Sequence, residues 1–325
     1  MTVGHVAALW RYPVKSLGGV PLDDARLDAG GVHGDRLWAV RDLEHDTTAS
    51  ARRIPALLTA TARYPDAVPP DAGPGNAPEV EITFPDGTVL SSRDDAVHAK
   101  LSELAGRDVR LIPLPPADDT RLQRRSRRDR TDISTLREDF GISEGEGLPD
   151  VSMLPVSALT TFARYSTAPG AFVDLAPVHV LSQTSLATIG AELGADIDPR
   201  RFRPNVLLTL DDPGDGLPES HWAGSYLSVG GVVLHVLMPT IRCVVPSRAQ
   251  PGLEVDRRIT RAVASRADRC LGVYCSVTSG GTVRIGDEVS LRTRRRSALS
   301  VATEQARRFA VKSLTGAANA VLPKR

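Results

Sequence analysis

Cysteine is scarce in this 325-residue chain, which has three, at positions 243, 270 and 275. An odd count without a C-x-x-C pair excludes a disulfide framework and leaves too few thiolates for an iron–sulfur cluster, so any such cluster belongs on another protein. Aromatics make up 4 % and the formal net charge is +1, so composition points neither to nucleic acid nor to strongly acidic substrates. The seven histidines form no H-x-x-x-H and no compact Cys/His cluster, which argues against zinc. No G-x-G-x-x-G follows a strand, which removes direct use of a nicotinamide dinucleotide. No run approaches the roughly 20 apolar residues that span a bilayer. The start, "MTVGHVAALWRYPVKS", lacks the basic beginning and long apolar core of a secretory signal. A cytoplasmic location is the expectation.

The length suits two domains. In the first, "EVEITFPDGTVLSS" alternates about a Pro85-Asp86-Gly87 turn and predicts a hairpin, and "DDAVHAKLSELAG" predicts a helix closed by Gly106. Between 116 and 150 six arginines in ten residues (121–130) are followed by acids and glycines, which reads as a solvated connection. A second β-rich region begins near Val151, with strands in "PVHVLS", "PNVLLTL", "YLSVGGVVLHVLM" and "GGTVRIGDEVSL" and helices in "SQTSLATIGAELG" and "DRRITRAVASRADR". The expected fold is α+β and mostly β: a β-barrel-like unit over 1–115, a polar connection over 116–150, a second β domain over 151–291 and a tail over 292–325. From Leu291 onward nine Lys/Arg stand against one acid, Glu304. Apolar residues at helical spacing there suit an anionic membrane surface or an acidic partner, and the alternatives are a partly ordered basic tail or a helix docked on its own body.

Four stretches carry residues suited to chemistry. "YPVKSLGG" sets Lys15 and Ser16 at a strand end before two glycines, an arrangement able to clamp an anion. Arg36 follows Asp35 at the start of an apolar run. "RFRPN" places Arg203 and Asn205 on either side of Pro204, which fixes the turn. Cys243 lies between Arg242 and Arg248, and cationic neighbours suit the thiolate, the form that attacks electrophiles and binds soft metals. Cys270 and Cys275 flank "LGVY" and read as core.

Taken in order, "YPVKS", "GDRLW", "FRPN", "IRC" and "GTVRIGD" resemble the MOSC family, the molybdenum-cofactor sulfurase C-terminal domain, with the β-barrel domain that often precedes it. The chain is similar to the mitochondrial amidoxime-reducing components and their bacterial relatives. It implies a barrel with peripheral helices packed on the N-terminal unit, and a molybdenum-molybdopterin cofactor between them. It assigns Lys15, Ser16, Arg36, Asp174, Ala176, Arg203, Asn205 and Arg242 to the cofactor and Cys243 to the metal as thiolate and catalytic residue. Relatives carry Thr-Ser where this chain has Leu175-Ala176, so contact there falls to backbone groups or to Asp174. The implied reaction is reduction of small N-hydroxylated compounds, N–OH to N–H with loss of water. Electrons would come from a separate iron–sulfur, flavin or haem protein. The alternatives are a persulfide or cofactor carrier acting through Cys243 without turnover, and a non-catalytic module tethered by its tail.

Overall fold

A computed structural model describes residues 1–126, 133–142, 146, 161, 164–212, 214 and 216–293. The tail from 294 and the start of the second domain at 151 lie outside them.

Seven strands close a barrel, in the order Val206–Leu210, Val178–Ser182, Cys270–Ser279, Val232–Ile241, Tyr226–Val229, Glu288–Arg292 and Thr2–Arg11, which pairs back to Val206–Leu210. Only Val178–Ser182 and Val206–Leu210 run parallel. The alternation of Val232–Ile241 sends Val232, Leu234 and Val236 inward, as a period of two dictates. "VHVLS" is buried at all five positions. Val178 and Val180 face the barrel core, while Leu181 faces helices Gln183–Leu193 and Arg257–Ala267, which cover the outside through Leu186, Ile189, Ile259 and Val263. Ser182 caps the first of these helices, its Oγ accepting from Ser185 N at 3.1 Å.

The N-terminal unit has its own core of Val14, Leu17, Val40, Leu57, Ile82, Leu101 and Leu111, built from two three-stranded sheets and helix Ala96–Ala105. The expected hairpin is present as Glu81–Thr83 paired with Val89–Ser91. Two features depart from the linear reading. Thr2–Arg11 is a barrel strand, and Val6, Leu9, Ala25, Leu27 and Val32 pack in the barrel core, so the unit expected over 1–115 shares its first residues with the second domain. The connection expected to be solvated over 116–150 also contains packed structure. Gln123 is 0 % exposed, Arg41 Nη1 donates to Leu122 O at 2.7 Å, and "ISTLREDF" forms helix Ile133–Phe140. The arginine count conceals an i, i+4 apolar pair, Leu136 and Phe140, which gives that helix an inner side. Among the described residues no helix is long and apolar enough to cross a membrane.

Glu219, 1 % exposed, locks helix Gln183–Leu193 to the barrel. Its carboxylate accepts from Ser182 N at 3.2 Å and from Ser182 Oγ and Ser185 Oγ at 2.7 Å each, at the helix N-terminus, where negative charge is favoured. Replacement by Ala leaves these buried donors unpaired. Glu219→Ala is expected to cost about 2–4 kcal/mol, read as a lowered urea midpoint at unchanged slope, and Glu219→Gln clearly less.

Candidate functional site

The first strand ends at Arg11, and the chain then turns through "YPVKSLGG" out of the barrel and into the N-terminal core. Backbone bonds fix this turn to the segment that carries Arg36: Tyr12 O accepts from Arg36 N at 2.8 Å, Lys15 N donates to Trp38 O at 2.8 Å, and Trp38 N donates to Pro13 O at 3.1 Å. Buried Asp35 takes Tyr12 N at 2.6 Å. Ser16, Arg36 and Arg203 all have left-handed backbones, with φ of 74°, 51° and 54°. Conformations of this kind cost non-glycine residues of order 1–2 kcal/mol each and persist only where surrounding bonds over-determine them.

These elements enclose a cavity of about 790 Å³ between the two cores. Lys15, Ser16, Arg36, Asp174, Arg203, Arg242 and Cys243 all line it, although they come from five separate stretches of sequence. Lys15 Nζ donates to Asp174 Oδ1 at 2.6 Å. Asp174 is 44 % exposed, with its free side open to the cavity. Arg203 lies 4.3 Å over the Tyr12 ring and donates to Leu17 O. Arg242 Nη2 donates to Phe202 O at 2.6 Å, and Arg242 N donates to Arg269 O at 2.7 Å, which fixes the strand end that presents Cys243. Ser16 Oγ donates to Ala49 O at 3.3 Å and accepts from Ala51 N at 3.1 Å.

Ala176 and Asn205 do not line the cavity. Asn205 is buried behind it and joins three strands: its Oδ1 accepts from His179 N at 3.1 Å and its Nδ2 donates to Trp10 O at 3.4 Å. Ala176 is buried beside Pro177, while Leu175 reaches the cavity wall.

Sequence reading missed Arg52, His179, Tyr274 and Asp139, all of them on the wall. A polar residue inside an otherwise apolar strand is the available signal for His179 and Tyr274; for Arg52 and Asp139, one arginine or aspartate among many, there is none. Gly272 admits His179: with φ +78°, a Cβ there would lie 2.3 Å from His179 Nε2. Burial first, and Arg242 second, hold the His179 imidazole well below its usual range. The neutral ring therefore accepts from Arg242 Nη1 at Nε2, 3.4 Å away. Burial pushes the Tyr274 phenol up to about 12, so it keeps its proton.

Positive charge dominates the cavity, with eight Lys or Arg side chains and three aspartates on its wall. Burial brings Arg203 down to about 10, with Arg36 adding to the shift, and burial likewise lowers Lys15 and Arg242. Burial alone would lower Arg36 and raise Asp174, but each is overruled by its partners, chiefly Asp35 and Asp174 for Arg36 and Lys15 and Arg52 for Asp174. Among the described residues Arg242 Nε is a buried donor without a hydrogen-bond acceptor, and Arg36 Nε also makes no hydrogen bond, its ion-pair partner Asp35 Oδ2 lying 3.5 Å away. Unpaired buried donors amid excess cationic charge call for an anionic ligand. Inorganic phosphate is therefore expected to raise the melting midpoint at fixed ionic strength, and Lys15→Met to weaken that binding about tenfold. Because Lys15 must be protonated to act, the stabilisation holds below its lowered pKa and fades as pH rises through it, before 10.5. An equal response in both proteins would refute the clamp.

Residues 3–107 match the MOSC N-terminal beta barrel domain, and residues 168–290 match the MOSC domain. The chain is 25 % identical to mitochondrial amidoxime-reducing component 1 of Mus musculus, over 89 % of this chain and 82 % of that protein. It is 26 % identical to mitochondrial amidoxime-reducing component 1 of Homo sapiens, over 89 % and 83 %. Mitochondrial amidoxime reducing component 2 of Homo sapiens is 23 % identical over 88 % and 83 %. Among solved structures, that of the YUAD protein from Bacillus subtilis covers 91 % of this chain and 98 % of its own at 14 % identity and a TM-score of 0.40. The chain belongs to the MOSC domain family and carries the MOSC N-terminal beta barrel domain ahead of its MOSC domain.

Proposed function

We propose that this protein is a molybdenum-cofactor reductase of N-hydroxylated compounds. The observation that carries the reading is a thiol, Cys243, on the wall of a cavity whose buried cations outnumber its carboxylates. A soft thiolate suits a soft metal centre, and guanidinium and ammonium groups suit the phosphate of a pterin. The names of the amidoxime-reducing relatives supply the reaction class.

The residues present fit such a cofactor, because among the described residues Arg36 Nε and Arg242 Nε are buried donors that make no hydrogen bond. Among the described residues no group of three His, Cys, Asp or Glu is placed to hold a metal ion by itself. A metal held here would take one protein side chain, Cys243, and its other ligands from the cofactor. Lys15, Ser16, Arg36, Arg203 and Arg242 would bind the anionic part, and Asp174 would keep Lys15 charged and aimed. Ala176 and Asn205 could contact it only through movement or backbone groups, and we assign Asn205 the positioning of His179 and Trp10. When bound, the cofactor supplies two-electron redox chemistry. The balance for an amidoxime is R–C(NH2)=N–OH + 2 e⁻ + 2 H⁺ → R–C(=NH)NH2 + H2O. The electrons come from a separate iron–sulfur, flavin or haem protein.

The test is elemental analysis for molybdenum on protein from a host that makes the cofactor. About one metal per chain is expected in the wild type, with loss of metal or an altered metal spectrum in Cys243→Ser at unchanged circular dichroism. Reduction of N-hydroxylated compounds should be abolished in the mutant, since a hydroxyl is a poor substitute for thiolate. Absence of both metal and pterin, with a persulfide on Cys243 by mass spectrometry, would replace this reading with the sulfur-carrier one.

A further inference from the structure

In the buried strand "VHVLS" the second residue, His179, is 4 % exposed and lines the cavity. Burying an imidazole costs more than burying the aliphatic side chains on either side of it, so its contacts have to offset that cost. Asn205 fixes the backbone there on both sides: its Oδ1 accepts from His179 N at 3.1 Å, and its own N donates to His179 O at 2.9 Å. The ring passes Gly272, where a Cβ would lie 2.3 Å from Nε2. It ends between two cationic residues of the wall, with Nδ1 3.5 Å from Arg203 O and Nε2 3.4 Å from Arg242 Nη1. The Tyr274 ring lies beside it, 5.8 Å away and tilted by 60°.

These contacts select one tautomer. A guanidinium only donates and a carbonyl only accepts, so Nε2 carries the lone pair and Nδ1 the proton.

Arg242 differs from its neighbours in how its charge is met. Lys15 Nζ has Asp174 Oδ1 at 2.6 Å, and Arg36 Nε has Asp35 Oδ2 at 3.5 Å. No carboxylate among the described residues forms an ion pair with Arg242, whose guanidinium is held by Phe202 O at 2.6 Å, by the Phe202 ring at 5.1 Å and by His179. A carboxylate in place of the imidazole would hold it more tightly and cancel its charge, and an aliphatic side chain would take this acceptor away from a buried donor. The imidazole avoids both.

We propose that His179 is a positioning residue for the anion site: its lone pair holds the Arg242 guanidinium on the cavity wall beside Cys243, orienting that charge without cancelling it. This rests on the reading of the cavity as the site of an anionic cofactor. Arg203 is tied to the same ring through its carbonyl, so one side chain sets two of the site's arginines relative to each other.

The experiment has two arms, both on the full chain from a host that does not make the cofactor. In the 15N spectrum of the imidazoles, the signals that His179→Gln removes should report a ring protonated at Nδ1, with an Nε2 resonance that moves in Arg242→Met. In calorimetric titration with inorganic phosphate, His179→Gln, whose Oε1 takes the place of Nε2, should keep the affinity within about twofold, while His179→Asn, which reaches only the Nδ1 side, should bind about fivefold more weakly, on the scale of one hydrogen bond. Arg242→Met should lose at least as much, and adding His179→Asn to it should lose nothing further, because the pair acts as a unit. A ring protonated at Nε2, equal affinity in His179→Asn and His179→Gln, additive losses in the double variant, or unchanged affinity in Arg242→Met would each overturn the proposal. Should His179→Asn fail to fold, the wild-type tautomer and the Arg242→Met titration still decide. Molybdenum content of wild type from a cofactor-making host is measured separately: absence of metal removes the reductase reading and leaves both arms standing.

Discussion

The chain passes from one hydrophobic core to another at Tyr12, and the site depends on that passage. Thr2–Arg11 must pair with Val206–Leu210 and Glu288–Arg292 to close the barrel, while Val14 and Leu17 must be buried in the N-terminal core. Between those obligations lies a turn of a few residues that neither core can absorb. Lys15 and Ser16 therefore face the space between the cores, and the barrel's own rim contributes Arg203, Arg242 and Cys243 to the same space. The cavity is a consequence of one strand serving two cores.

Charge is the second constraint. Burying arginines and a lysine together is unfavourable unless counter-charge is supplied, and among the described residues little is supplied: Asp174 and Asp35 answer the inner cations, and the Nε atoms of Arg36 and Arg242 make no hydrogen bond. The left-handed backbones of Ser16, Arg36 and Arg203 add strain at the same place. An anion bound there would offset the charge penalty, and surrounding structure holds the strained backbone in place. Glu219, the Asn205 cross-links and the fit of Gly272 beside His179 do part of that holding.

Helix Ile133–Phe140 gives the same cavity a different wall. Its backbone is fixed to Val244 and Arg269, so its position is coupled to the strand end that presents Cys243. That helix and the Cys243 side chain are thus mounted on adjoining backbone.

Much of the barrel was legible in the sequence. The alternation in "YLSVGGVVLHVLM", the hairpin at Pro85-Asp86-Gly87 and the capped helices after Ser182 and Asp256 are local patterns, and local patterns follow from the period of the backbone and the chemistry of caps and turns. The site motifs were legible as residue types, a lysine and serine before glycines and a cysteine between arginines. Their convergence was not, because Lys15 is brought to Asp174, Arg203 and Cys243 across more than 150 residues of chain. Nor did composition mark His179, Arg52 or Asp139 as cavity residues, since burial and partners are set by distant segments. By itself the sequence determined the elements, the caps and the inventory of charge. Closure of the barrel by the first strand and the excess of cations around one cavity were decided by tertiary packing, because pairing and desolvation exist only once distant segments are brought together.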